Sequence, residues 1–222
     1  MPTNFTRGVR LALTSLVFSL LASVGNAATA AATTSVILVM GDSLSAEYGL
    51  ARGTGWVALL EKRLQSEKIS AQVVNASISG ETTAGGVTRL PTLLAQHHPN
   101  LVVIELGAND ALRGFALSAT QSNLTAMAKA SKAAGAKVVV VGMQVPPNFG
   151  KRYTDDFAGL FPKVAKSESI SLVPFFLKGV ADRPDARDWF QADSMHPLAK
   201  AHPVILDNMW LVLKPLLFGR QR

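Results

Sequence analysis

The chain has no cysteine. That excludes disulfides, thiolate metal sites, a cysteine nucleophile and the cysteine-borne lipid anchor of bacterial lipoproteins. Charged residues are sparse at 17% and aromatics sparser at 7%, whereas hydrophobic residues reach 48% of 222 positions. One large core is therefore within reach without cross-links, one domain is expected rather than two, and wholesale disorder is not expected. The net charge is +7, yet the basic residues form neither a block nor an aromatic-interleaved stripe. No nucleic-acid partner is expected on that ground. His196 and His202 lack a third ligand at zinc-like spacing, so no metal is expected either.

The N-terminus reads separately from the rest. Arg7 and Arg10 precede an apolar run over residues 11–24, and Gly25 and Ala27 then sit two apart. Basic, apolar and small-residue regions in that order describe a secretory signal peptide, expected to be cut after Ala27. The run falls short of the ~20 apolar residues a spanning helix needs. Residues 1–27 are thus assigned to a leader and 28–34 to a short tether. A single domain is expected over 35–222 of an exported protein, periplasmic or secreted. Losing Arg7 and Arg10 lowers the charge to +5. A mildly positive surface admits transient contact with a membrane surface, although solubility is its ordinary meaning.

Strands and helices alternate downstream. β-branched apolar runs lie at 35–40, 72–76, 101–106, 137–141 and 171–173. Continuous rather than alternating runs suit strands covered on both faces. Helical patterns fall at 55–68, 82–98 (with a kink or restart expected at Pro91), 117–134, 155–167 and 197–217 (with a bend or late start expected at Pro203). This alternation predicts a parallel sheet with helices on both faces and ligands beyond the carboxyl ends of the strands. The first three strands lead into "GDSLS", "SISGETT" and "GAND", three polar glycine-bearing loops on one rim.

A serine nucleophile needs a base, a group to orient that base, and donors for an oxyanion. Ser43 is the candidate nucleophile, with Gly41 allowing a tight exit from the strand. In "DSMHP", Asp193 lies three residues before His196, and Pro197 is placed to begin a helix. A carboxylate there can accept from imidazole Nδ1 and leave Nε2 facing a hydroxyl. Asn109 offers an amide donor, and Gly80 and Ser43 offer backbone N–H groups. Ser45 stands where the Gly-x-Ser-x-Gly elbow of α/β-hydrolases requires glycine. Asp42, Asp110 and Glu105 are read as bracing groups rather than chemical ones. Met143, Pro146, Pro147, Phe149 and Tyr153 form an apolar loop on the same rim, lining a groove or covering the core.

"GDSLS", "SISGETTAGGVTRLPTLLAQHHPNLVVIELGANDALRGF" and "DSMHP" resemble the blocks of the GDSL, or SGNH, hydrolase family, over nearly all of 35–217. Ser43, Gly80, Asn109 and His196 match its four namesake residues. The likeness extends to small bacterial periplasmic enzymes with thioesterase, lysophospholipase and arylesterase activity. It implies that Ser43 attacks, His196 is the base and Asp193 orients it. The oxyanion hole would comprise the N–H groups of Ser43 and Gly80 and the Asn109 amide. The expected fold is a three-layer α/β/α (flavodoxin-like) α/β domain, its five-stranded parallel sheet ordered 2-1-3-4-5. The expected partner is a small-molecule acyl ester or thioester, acted on by a monomer without cofactor. Two other readings stay open: a carbohydrate acetylesterase on the same scaffold, and a non-catalytic flavodoxin-like ligand-binding protein.

Overall fold

The computed structural model describes Met1 and residues 34–218. Apart from Met1, the expected leader, and all but the last residue of the tether, lie outside the described residues. Every element below belongs to the compact unit Ala32–Arg222.

Five parallel strands form one sheet in the order β2-β1-β3-β4-β5, as expected. They are β1 (Ser35–Gly41), β2 (Ala71–Asn75), β3 (Leu101–Glu105), β4 (Lys137–Val141) and β5 (Ser171–Val173). Register is set by pairs such as Val39 with Val103 and Val140 with Ile104. In β3 every residue is buried, as an inner strand covered on both faces requires. Each buried Val, Leu or Ile there contributes about 1.5–3 kcal/mol over its exposed state.

Among the described residues six α-helices follow: α1 (Trp56–Ser66), α2 (Thr83–His97), α3 (Ala108–Leu112), α4 (Leu117–Ala133), α5 (Lys151–Glu168) and α6 (His202–Phe218). α1 packs on α6, while α2, α4 and α5 pack in a row. The buried stripe of α1, Trp56, Val57, Leu60 and Leu64, recurs at helical spacing.

The structure decides three boundaries. α2 runs through Pro91 without restarting; Leu90 and Leu94 are buried on either side of it, and their packing outweighs the lost backbone bond. α5 starts at Lys151 rather than 155, with Lys151–Asp155 and Arg152–Asp156 pairs one turn apart. Pro197 does not begin a helix. It forms an antiparallel bridge with Phe190, and α6 starts at His202, the late start expected beside Pro203.

Candidate active site

The site grows from the carboxyl ends of β1, β2 and β3. Gly41 ends β1, and a Cβ there would lie 2.7 Å from Ser45 Cβ and 2.8 Å from Ser77 Oγ. Space, not backbone freedom, is what demands glycine. The chain then turns: Asp42 O accepts from the N–H groups of Ser45 (3.2 Å) and Ala46 (2.9 Å). Asp42 Oδ1 accepts from Leu44 N–H at 3.0 Å. Ser43 is left half-buried at the top of the sheet.

Beneath it, Ser45 Oγ donates to Glu105 Oε2 at 2.7 Å and accepts from Trp56 Nε1 at 3.0 Å. Burial, aided by the neighbouring Asp42 carboxylate, pushes the Glu105 carboxyl well above its ordinary range. Glu105 is therefore a buried brace, tying the nucleophile loop to β3 and the start of α1.

His196 arrives from the far end of the chain on a tight turn. Gln191 N–H donates to His196 O at 2.8 Å, and Leu198 N–H to Trp189 O at 2.8 Å. Asp193 Oδ1 accepts from the N–H groups of Met195 (2.9 Å) and His196 (3.0 Å). Its Oδ2 lies 2.7 Å from His196 Nδ1. His196 Nε2 in turn lies 2.8 Å from Ser43 Oγ, across 153 positions of sequence. The Asp193 carboxyl is held down to about 2, by the His196 N–H above all, with the Met195 N–H and the imidazole adding to it. It is thus ionised at any ordinary working pH.

Asn109 sits in α3, which begins after Gly107 at φ +124. That conformation favours glycine and allows the sharp turn from β3. Asp110 anchors the helix: it accepts from Thr83 N–H at 2.9 Å and from the Thr83 hydroxyl. Asn109 Nδ2 donates to Asp42 Oδ2 at 3.0 Å, which fixes its amide beside the Ser43 loop. Burial raises the Asp42 carboxyl to about 6, against the lowering pull of the Leu44 N–H, His196 and the Asn109 amide.

Gly80 occupies the turn after β2 at φ +78, again a glycine conformation. Ile78 N–H to Gly41 O (3.1 Å) and Asn75 Nδ2 to Ser45 O (2.8 Å) bind that turn to the Ser43 loop. Arg113 donates to Gly80 O at 3.0 Å. Among the described residues, neither the Ser43 N–H nor the Gly80 N–H has an acceptor.

Ser43, Asn109 and His196 line one cavity of about 560 Å³, whose walls include Leu112, Met143, Val145 and Phe190. Gly80 and Asp193 stand outside its lining. Of the apolar loop after β4, Met143, Pro146 and Pro147 line the cavity, whereas Phe149 stacks on Tyr153 away from it.

Two contributors have no signal in the sequence. The Tyr48 ring lies against the His196 imidazole, centroids 4.4 Å apart. Gln191 Nε2 donates to Tyr48 O at 2.9 Å, clasping the His196 turn to the Ser43 loop. Both contacts depend on tertiary closure over more than a hundred positions, so only the folded chain reveals them.

Residues 39–204 match the family described as GDSL-like Lipase/Acylhydrolase. Esterase TesA of Pseudomonas aeruginosa is 53% identical over 181 residues, covering 82% of this chain and 89% of that protein. Thioesterase 1/protease 1/lysophospholipase L1 of Escherichia coli is 42% identical over 186 residues, covering 84% and 86%. A solved structure of the psychrotrophic esterase EstA from Pseudoalteromonas sp., inhibited by monoethylphosphonate, matches with TM-score 0.77 and 43% identity over 83% of this chain and 99% of that one.

Proposed function

The chain belongs to the GDSL-like Lipase/Acylhydrolase family and hydrolyses esters and thioesters, and on that premise we propose how its groups divide the work. Ser43 is the nucleophile, His196 the general base and acid, and Asp193 the group that fixes the imidazole tautomer. Ser43 N–H, Gly80 N–H and the Asn109 amide stabilise the oxyanion. The reading rests on one observation: an unbroken carboxylate–imidazole–hydroxyl chain, 2.7 Å and 2.8 Å, at the wall of an apolar cavity.

In the proposed reaction, Ser43 Oγ bonds to the acyl carbon as its proton passes to His196 Nε2. Asp193 stabilises the imidazolium. The Ser43 and Gly80 N–H groups have no other acceptor and the Asn109 amide is already held in place by Asp42, so little reorganisation opposes formation of the tetrahedral oxyanion. Collapse expels the alcohol or thiol, which takes the proton from Nε2. Water, deprotonated by the same nitrogen, then releases the acid and restores Ser43. All these groups come from one chain, so a monomer suffices and no cofactor enters any step.

The cavity falls in the ordinary size range of small-molecule sites. Its apolar walls suit an acyl chain longer than acetyl. Rates on p-nitrophenyl esters and matching thioesters, from acetyl to palmitoyl, test that; an optimum at acetyl with steep decline favours the carbohydrate acetylesterase reading instead. Ser43→Ala should lower kcat by roughly 10⁴-fold or more with the fold intact, and a comparably active variant refutes the assignment. Export is proposed from Arg7, Arg10 and the apolar run that follows. The mass of the protein recovered from the periplasm should then begin at Ala28, and an intact N-terminus in the cytoplasm contradicts it.

A further inference from the structure

Among the described residues, setting aside the terminal methionine, eight large hydrophobic side chains stand exposed. Two, Leu211 and Phe218, lie on α6. The other six, Tyr48, Ile78, Leu112, Phe115, Phe149 and Met195, are 37–50% exposed. All six sit on segments that leave the carboxyl ends of the strands: Tyr48 follows β1, Ile78 β2, Leu112 and Phe115 β3, Phe149 β4 and Met195 β5. In a parallel sheet those segments share one rim. Scattered exposed apolar residues are unremarkable; six of them contributed by five separate segments on the rim that carries the cavity are not.

This apolar rim is continuous with the cavity, since Leu112 and Met195 line it and Tyr48 lies against His196. Its charges are largely spent locally. Lys151 pairs with Asp155, Arg152 with Asp156, Lys178 with Asp182 and Arg183 with Asp185. Arg113 is bound to the Gly80 carbonyl. A carbonyl cancels no charge, and Arg52, Arg113 and Arg187 are matched in number by Glu47, Asp188 and the ionised Asp193. The basic excess of the chain is thus not gathered at the mouth, and an anionic surface gains nothing there by charge.

We propose that this rim docks the enzyme on a zwitterionic phospholipid surface, with the cavity opening straight into the layer that holds acyl chains. Net neutrality at the rim matches a surface without net charge, and the exposed rings and aliphatic groups bury in its interface. Acyl substrates then enter the cavity without crossing water. This goes beyond the proposed hydrolysis, because docking needs the rim and not the nucleophile.

The test uses the Ser43→Ala chain, in the form the cell accumulates, and sedimentation with phosphatidylcholine vesicles. It should bind, and binding should change little between about 0.05 M and about 0.5 M salt, across which charge attraction is screened away. Adding Ile78→Ser, Phe115→Ser and Phe149→Ser together should weaken binding by ~10-fold or more, whereas Leu211→Ser should not. In a Ser43-containing chain the same three changes should leave hydrolysis of a soluble short ester within roughly twofold, which certifies fold and site. Absence of vesicle binding by Ser43→Ala overturns the proposal. So does binding confined to phosphatidylglycerol vesicles and lost in high salt, or binding that the three serine changes leave intact. Failure of the hydrolytic assignment would show instead as activity surviving in Ser43→Ala, an independent readout.

Discussion

Replacing Asp193 by Asn separates the two tasks its carboxylate combines. Oδ1 accepts from the Met195 and His196 N–H groups, and an Asn carbonyl can keep both bonds. Oδ2 faces His196 Nδ1 at 2.7 Å. An amide NH₂ placed there donates, so Nδ1 must be the unprotonated nitrogen and Nε2 must carry the proton. A protonated Nε2 cannot take the proton of Ser43, 2.8 Å away. In a buried triad that tautomer error costs about 10⁴ in kcat. Here the Asp193 side chain is 34% exposed, so water can partly substitute, and roughly 10³-fold, about 4 kcal/mol of barrier, is expected. KM should hold, because Asp193 is not part of the cavity lining. Initial rates on p-nitrophenyl butyrate, alongside a thermal unfolding midpoint within a degree or two of the parent (roughly the scatter of surface changes), make the comparison. Asp193→Ala, which loses the turn bonds as well, should also lower the midpoint. A kcat for Asp193→Asn within about tenfold of the parent would refute the reasoning, leaving Asp193 a turn former only.

Asp42→Asn should trade activity for stability. With its folded pKa raised from 3.8 to about 6, the Asp42 carboxyl favours folding most below its unfolded pKa, and that benefit is lost as pH rises through about 6. The ionised buried group then costs on the order of 3 kcal/mol, so the variant's midpoint relative to the parent should climb between about pH 4 and about pH 8. A pH-independent difference contradicts this. Its kcat should fall, because an amide NH₂ facing Asn109 Nδ2 puts donor against donor and turns the oxyanion amide. His202→Ala should destabilise the fold by about 2–4 kcal/mol. His202 is buried and its Nδ1 accepts the Trp56 N–H at 3.0 Å, capping α1 where Gly55 has no side chain to do so. Burial lowers the His202 pKa, so its contribution is full above the unfolded value near 6.5 and lost as pH falls; a variant as stable as the parent at pH 7 in urea unfolding would count against the cap.

Much of this architecture is legible in the order of residues. Five β-branched runs mark the strands because both faces of an inner strand are buried, and a run such as "LVVIE" carries no polar face to alternate with. Ser43, Asn109, Gly80, Asp193 and His196 are legible as candidates because few other residue types could perform the proposed tasks at those positions. α3 is not: five residues cannot display a helical period, and what holds it is Asp110 reaching Thr83, 27 positions away. The start of α6 is legible only as a choice between Pro197 and Pro203, since Pro197 is as well suited to a strand edge as to a helix start, and Phe190 decides for the later one. Gly41 is legible as necessary, but the cause is the side chain of Ser45 and not a turn. Tyr48 and Gln191 are invisible in advance because each acts on a partner more than a hundred positions distant.

The division of labour at Ser43 is tested most directly by covalent capture. Incubation with an ethylphosphonate bearing a p-nitrophenolate leaving group, followed by intact mass and peptide mapping, reads out which atom attacks. The expected result is a single phosphonyl group on Ser43, formed in step with loss of esterase activity, absent in Ser43→Ala and greatly slowed in His196→Ala. An adduct on another residue, or full inactivation with Ser43 unmodified, would contradict it.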